Sequence, residues 1–283
     1  MSTTDTPPEA GRSLPTGAVR EDVRRTWWQR HGATTTIWAT RTALLVVMLV
    51  LWQAASGRWI DDTFISRPSD IVDRLGTWWA DGTLADNTWI TVQEIVYGFL
   101  LGAAAGALAG YLLGASRFVY RVLDPFIMAL YAIPKVALAP LFIVWIGIGM
   151  DMKVLLAAVT VFFLVFLNTA AAVREVDQGL VDAVRLMGGD RRQIALKVVL
   201  PSSMAGFLTG LKVSVPYALI GAVIGELVAS NRGLGYLIND AAAQFDTAGV
   251  FATLVVLSLI AGALNILVGM LDRRVNRWKP LQK

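Results

Sequence analysis

Residues 182–201 read DAVRLMGGDRRQIALKVVLP. They stand between two long apolar runs, one ending near Val173 and the next starting near Ser203, and they carry Asp182, Arg185, Asp190, Arg191, Arg192 and Lys197. The local signals predict two short helices around a glycine corner. Asp177 suits the N-cap of a helix reaching about Met187, because its side chain can accept an otherwise unpaired first-turn N–H. Gly188 and Gly189 suit the left-handed stop that ends helices. Asp190 suits a second N-cap, with Gln193 three residues on, as a capping box requires. Pro201 is expected to end that helix before the following apolar run. Leu180, Val184 and Met187 fall at i, i+4 and i+7, and Ile194, Val198 and Pro201 repeat the spacing, so each helix is expected to bury that side. Such a pair could lie on the membrane surface with its arginines on phosphates. It is also stiff enough to serve as a docking knob for a soluble partner.

The rest of the chain explains why the segment stands out. Of 283 residues, 55% are hydrophobic and only 16% are charged, against about 25% in an average soluble domain. Several apolar runs exceed the roughly 18 residues needed to cross a hydrocarbon core. The fold class is therefore all-α: a polytopic membrane protein with about six transmembrane helices, expected at 37–55, 90–114, 125–149, 154–173, 203–229 and 250–271. Residues 1–35, polar and rich in Pro and Gly, are expected to be a disordered arm. The membrane-spanning unit is expected over 36–278, with the charged loop at 174–202. Pro134 and Pro140 interrupt the third span, which is tolerated at membrane depth only where protein or a water-filled cavity satisfies the freed backbone groups.

Basic residues collect in the N-terminal arm, the 115–122 turn, the 174–202 loop and the C-terminal tail, whereas 56–87 has an aspartate excess. The positive-inside rule then makes both termini and the opening stretch cytoplasmic. There is no cysteine and a single histidine, His31, so thiolate or His-rich metal sites and a buried histidine triad are excluded and no catalytic residue is assigned.

Within the second span Gly98, Gly102, Gly106, Gly110 and Gly114 recur every fourth residue. This stripe on one helix face suits close approach of another helix rather than a ligand. Intramembrane ionisable groups are candidate functional sites by default. Lys135, Lys212 and Glu226, together with Asn168, are the candidate path-lining residues. Their alternative roles are anchoring helices, pairing with carbonyls freed near the prolines and, for Asn168, cross-linking helices. Glu94 and Glu226 are expected near the outer ends of their spans.

The 182–201 stretch resembles the signature loop of permease subunits of bacterial ATP-binding-cassette importers, whose pattern is Glu-Ala-Ala, three residues, Gly, nine residues, Ile-x-Leu-Pro. Here it stands as Asp182-Ala183-Val184, three residues, Gly188, nine residues, Val198-Val199-Leu200-Pro201. The spacing matches at every step. Asp182 and Val198 are conservative departures, and Val184 is bulkier than the alanine it replaces. AIPKVALAPLFIVWIGIG and GLGYLINDAAAQFDTAGVFATLVV look like the nitrate, sulfonate and taurine branch, and the resemblance covers about residues 88–278.

The resemblance implies a permease of the bacterial inner membrane, paired as a homodimer and surrounded by lipid. Its partners would be a cytoplasmic ATPase and an extracytoplasmic binding protein, with no nucleic acid. The cornered loop would be the coupling helix. The chain itself has no G-x-x-x-x-G-K-[ST] phosphate loop, and GFLTGLK at 206–212 has the wrong spacing. ATP and magnesium are thus expected on the partner subunit, with no cofactor here. The competing reading, an ATP-independent secondary transporter or channel, predicts inverted repeats or a mid-membrane chain of acids, and neither is present in the sequence.

Overall fold

The computed structural model describes residues 27–59, 61 and 64–275. The helices are α1 (Trp27–Ala55), α2 (Pro68–Ala80), α3 (Thr83–Gly114), α4 (Arg117–Ala132), α5 (Ala139–Ile146), α6 (Met150–Arg174), α7 (Gln178–Leu186), α8 (Arg191–Ile194), α9 (Leu200–Ala229), α10 (Leu234–Ala243) and α11 (Thr247–Val275). Five are long and apolar enough to cross a membrane, and a sixth span arises if α4 and the following bent segment count as one. The chain divides into two units at Leu51. The first is described from Trp27 and is α1 as far as Leu51, with the Arg41 guanidinium 5.4 Å from the Trp38 ring centre. Trp27, the first described residue, is already helical, whereas helix was expected from about 37, so the last nine residues of the expected arm are helical. The remainder of the arm lies outside the described residues.

The second unit is built on α3, α6 and α9, with α6 in the middle. The five stripe glycines all face α6. A methyl group on Gly106 would lie 2.6 Å from the Phe162 carbonyl oxygen, and one on Gly110 would lie 2.7 Å from that of Phe166. One on Gly98 would meet Ala157 Cβ at 2.5 Å, and Gly102 and Gly114 press on the backbone at Ala158 and Ala170. On its other side α6 meets Gly206, Gly210, Gly221 and Gly225 of α9. Small residues at both contacts let backbones approach where lipid supplies no hydrophobic drive. Ile95, Val161, Val165, Leu211 and Val215 fill the interior. Helix α11 packs on α9, α10 and α2.

Besides α1, four elements differ from the sequence expectation. The third span starts at Arg117, taking in the basic turn, and bends by 81° between Ala132 and Lys135. Ile133 and Pro134 both leave helical geometry there (ψ 126° and 113°), because the residue before a proline is pushed towards extended backbone. Lys135–Leu138 forms a 3-10 turn, and Pro140 then sits in the first turn of α5, where its missing N–H breaks no bond.

Pro201 does not end the loop's second helix. Helix runs from Arg191 to Ala229, passing through a π-helical stretch at Ala195–Val199, where the Leu200 N–H reaches back five residues to the Ala195 carbonyl. Widening the helix just before Pro201 makes room for a ring that would otherwise press on the preceding turn.

The polar segment 56–87 contains α2 and the first turns of α3. Between them Gly82 takes φ +83° and the Asp81 carboxylate accepts the Thr83 N–H at 2.9 Å, a bond that holds that carboxyl below the usual range. The segment 230–249 contains α10.

Replacing Gly106 by Val should separate α3 from α6 and destabilise the protein by at least about 1–3 kcal/mol, the range for overpacking. Gly262→Ala, in α11 with open space around the added methyl, should be neutral or slightly stabilising. Thermal unfolding in detergent checks both.

Candidate functional site

The charged loop is a knob at one end of the α3–α6–α9 body. Asp177 caps α7, its Oδ1 accepting the Gly179 N–H at 2.8 Å. At the far end the Gly188 N–H donates to the Arg185 carbonyl and the Gly189 N–H to the Val184 carbonyl, both at 2.9 Å. That pairing is a Schellman stop. It needs Gly188 at φ +81°, and Gly189 lies so close to Val184 that a methyl there would be 2.5 Å from Cγ1. Asp190 then caps α8. Its Oδ1 accepts the Gln193 N–H at 2.6 Å, and Gln193 Oε1 accepts the Asp190 N–H at 3.2 Å, closing the capping box. Caps of this kind contribute about 1 kcal/mol each, and here they fix the angle between α7, which is too short to persist alone, and the start of the long helix that begins at Arg191.

The apolar face of α7 differs from the predicted stripe. Val176 and Val181, with Val184 partly covered, pack on Ile194 and Val198. Leu180 is 52% exposed and Met187 83% exposed, and Leu186 at the apex is 90% exposed. Asp182 and Ala183 are also open, and Asp182 pairs with Arg185 at 3.0 Å. Gly188 is exposed, Val198 is buried, and Leu200 and Pro201 lie where the π stretch enters α9. The motif thus divides into residues that make the corner and residues left uncovered. The root is tied to the body: the Tyr111 hydroxyl of α3 donates to the Ala195 carbonyl at 3.0 Å, and Arg174 stacks 3.7 Å from the centre of the Tyr120 ring.

The candidate path residues do not share one site, since each is engaged with a different neighbour. Lys135 donates to the Tyr131 carbonyl and lies over the Tyr131 and Phe163 rings at 4.5 and 5.0 Å. Lys212 pairs with Asp272 of α11 at 2.5 Å. Asn168 donates to Leu164 of its own helix at 2.8 Å, and its Cβ lies against Gly210 of α9, so it contributes packing rather than an interhelical bond.

Glu226 belongs to a buried cluster at the end of the body opposite the knob. Glu94 of α3, Lys153 of α6 and Glu226 of α9 are 0%, 5% and 1% exposed. Lys153 pairs with Glu94 and donates to Ser230 Oγ at 3.1 Å. Glu226 accepts from Thr91 Oγ1 at 2.7 Å and from the Gly235 N–H at 2.6 Å. Asn87 Oδ1 accepts the Gly233 N–H at 2.6 Å, and Thr91 Oγ1 accepts that of Leu234 at 2.8 Å. Side chains of α3 and α9 therefore cap the first turn of α10. Gly233 (φ +107°) and Gly235 lie so close to Glu226 that neither tolerates a side chain.

Glu94 and Glu226 were expected near the outer ends of their spans, but Lys153, which joins them, was not singled out in the sequence. The available signal was that Glu94 begins one span, Lys153 begins another and Glu226 ends a third. With alternating direction, all three reach the same level.

Lys153→Met should leave two carboxylates buried against each other without a cation and cost about 3–5 kcal/mol. The double variant Glu94→Gln/Lys153→Met keeps the well-bonded Glu226 and should recover part of that loss in the same thermal unfolding assay.

Residues 98–277 match the family model described as binding-protein-dependent transport system inner membrane component. The chain is 34% identical over 236 residues to the riboflavin transport system permease protein RibX of Chloroflexus aurantiacus, covering 83% of this chain and 88% of that one. It is 30% identical over 240 residues to the taurine transport system permease protein TauC of Escherichia coli (strain K12), covering 83% and 87%. A solved chain from inward facing conformations of the MetNI methionine ABC transporter superposes with a TM-score of 0.61 at 21% identity, over 70% of this chain and 96% of that one, which shows a shared fold.

Proposed function

This chain belongs to the family of binding-protein-dependent transport system inner membrane components, and from that premise we propose how it is coupled, oriented and partnered. It is a multi-pass permease of an ATP-binding-cassette importer. In this reading two copies form the path, an extracytoplasmic binding protein delivers the solute, and a separate cytoplasmic ATPase binds ATP and magnesium. Both termini and the knob face the cytoplasm, as the distribution of Lys and Arg supports.

The observation that carries the coupling role is the uncovered apex. Leu186 and Met187, 90% and 83% exposed, project from a doubly capped corner whose valines and Ile194 are packed beneath them. Isolated large apolar side chains on a rigid projection suit insertion into a partner's cleft. Asp182 and Arg185 beside them offer polar contacts at the rim. The helix leaving the knob continues without interruption into α9, so a displacement imposed there passes into the membrane body.

Relatives named for riboflavin and for taurine stand at 34% and 30% identity. Similar resemblance to permeases for such different solutes supports solute choice by the binding protein. We assign a small sulfonate of the taurine class because permeases named for aliphatic sulfonates and for taurine recur among the relatives.

Leu186→Asp/Met187→Asp should abolish co-purification of the cognate ATPase and ATP-dependent uptake in proteoliposomes, while leaving membrane insertion and melting temperature unchanged. Undiminished ATPase retention by this variant would refute the coupling role.

A further inference from the structure

A second site lies at the root of the knob. A cavity of about 330 Å³ opens among the C-terminal ends of α3 and α6, the start of α4, and α7 and α8. Arg117, Arg174, Arg185 and Arg191 line it with Gln178 and Tyr111, and no carboxylate does so. Its floor includes Val176, Val181 and Ile194 of the knob's apolar cluster. Two of the four guanidinium groups are already engaged: Arg174 stacks on Tyr120 and donates to the Ala170 carbonyl, and Arg185 pairs with Asp182. Arg117 and Arg191 have neither an ion pair nor a side-chain hydrogen bond among the described residues.

Four like charges around one cavity repel one another unless an anion is shared among them. Guanidinium groups meet phosphate oxygens two at a time in a planar fork, which lysine cannot do. The cavity stands where the spans of α3 and α6 end, which puts it near the headgroup level of a bilayer crossed by those spans, and it joins that cationic rim to an apolar floor. We propose that it binds the headgroup phosphate of an anionic phospholipid, bridging Arg117 of α4 to Arg191 of the knob. The inference holds whether or not an ATPase seats on the apex.

The full chain, purified in detergent, can be titrated with phosphatidylglycerol, phosphatidylcholine or inorganic phosphate and read by native mass spectrometry. Phosphatidylglycerol adducts should persist where phosphatidylcholine adducts do not. Arg117→Gln/Arg191→Gln should weaken them roughly tenfold or more, as expected for losing two phosphate contacts at a membrane surface. Arg121→Gln/Arg192→Gln removes the same charge from exposed neighbours outside the cavity and should leave them intact. Size-exclusion profiles and melting temperatures confirm that both variants are folded.

Equal losses in the two double variants would reduce the effect to general charge and overturn the site. So would unchanged adducts in Arg117→Gln/Arg191→Gln, whether or not that variant loses the ATPase. Displacement of the lipid by millimolar inorganic phosphate would overturn the lipid assignment in favour of a free anion.

Discussion

Lipid offers no hydrogen bonds, so every backbone N–H and C=O at membrane depth must find its partner inside the protein. That constraint accounts for the all-helical body, and it accounts for the places where helices break. At the Pro134 bend the Tyr131 carbonyl loses its helical donor and takes the Lys135 ammonium instead. At the first turn of α10 the free N–H groups are taken by Asn87, Thr91 and Glu226 from two other helices. At the π stretch the Ala195 carbonyl accepts from Leu200 and from the Tyr111 hydroxyl of α3. Each irregularity is thus closed by a side chain, and in two of the three cases that side chain comes from a neighbouring helix. The breaks themselves fasten one helix to the next.

The same fastening links the two ends of the molecule. The helix from Arg191 to Ala229 has 39 residues, roughly 55–60 Å at 1.5 Å per residue. One end is seated in the knob by the Asp190 capping box. The other carries Glu226, which holds α10 in place. Between them α9 presses its glycines on α6, which is locked against the glycine stripe of α3. Interfaces of small residues against backbone have little slack, since any separation loses dispersion contacts outright. The knob, the long helix and the buried ion cluster are thus joined through contacts with little freedom to shift independently.

Much of this was legible in the sequence. Caps and glycine stops act through nearest neighbours, so Asp177, Gly188, Asp190 and Gln193 could be assigned from spacing alone. Span count follows from apolar length. The register of α7 was not legible in that way. Leu180, Val184 and Met187 form as good a stripe as Val181 and Val184, and a projecting apolar residue has no local mark that separates it from a buried one. Pro201 misled for a related reason. Its effect on a helix depends on whether the preceding turn can widen, and the widened turn's Ala195 carbonyl is bonded by Tyr111, 84 residues before Ala195 in the chain. The short helices α2 and α10 lie in polar segments, and their placement comes from long-range contacts such as Arg74 with Asp246 at 3.0 Å. The Glu94–Lys153–Glu226 cluster required knowing which spans share a level, which topology supplies and composition does not.

The charges within the membrane body also limit how a solute could be selected there. An ammonium group attracts a passing sulfonate strongly only if it has no better partner. Lys135 is already bonded to a carbonyl and flanked by two aromatic rings, Lys153 faces Glu94, and Lys212 faces Asp272. Drawing Lys153 towards an anion would strand the buried Glu94 carboxylate, a penalty of several kcal/mol, while Lys135 and Lys212 would give up contacts they already hold. These lysines stabilise the helices at the expense of being available to cargo. A body held together in this way separates the energetics of helix packing from the chemistry of what is carried.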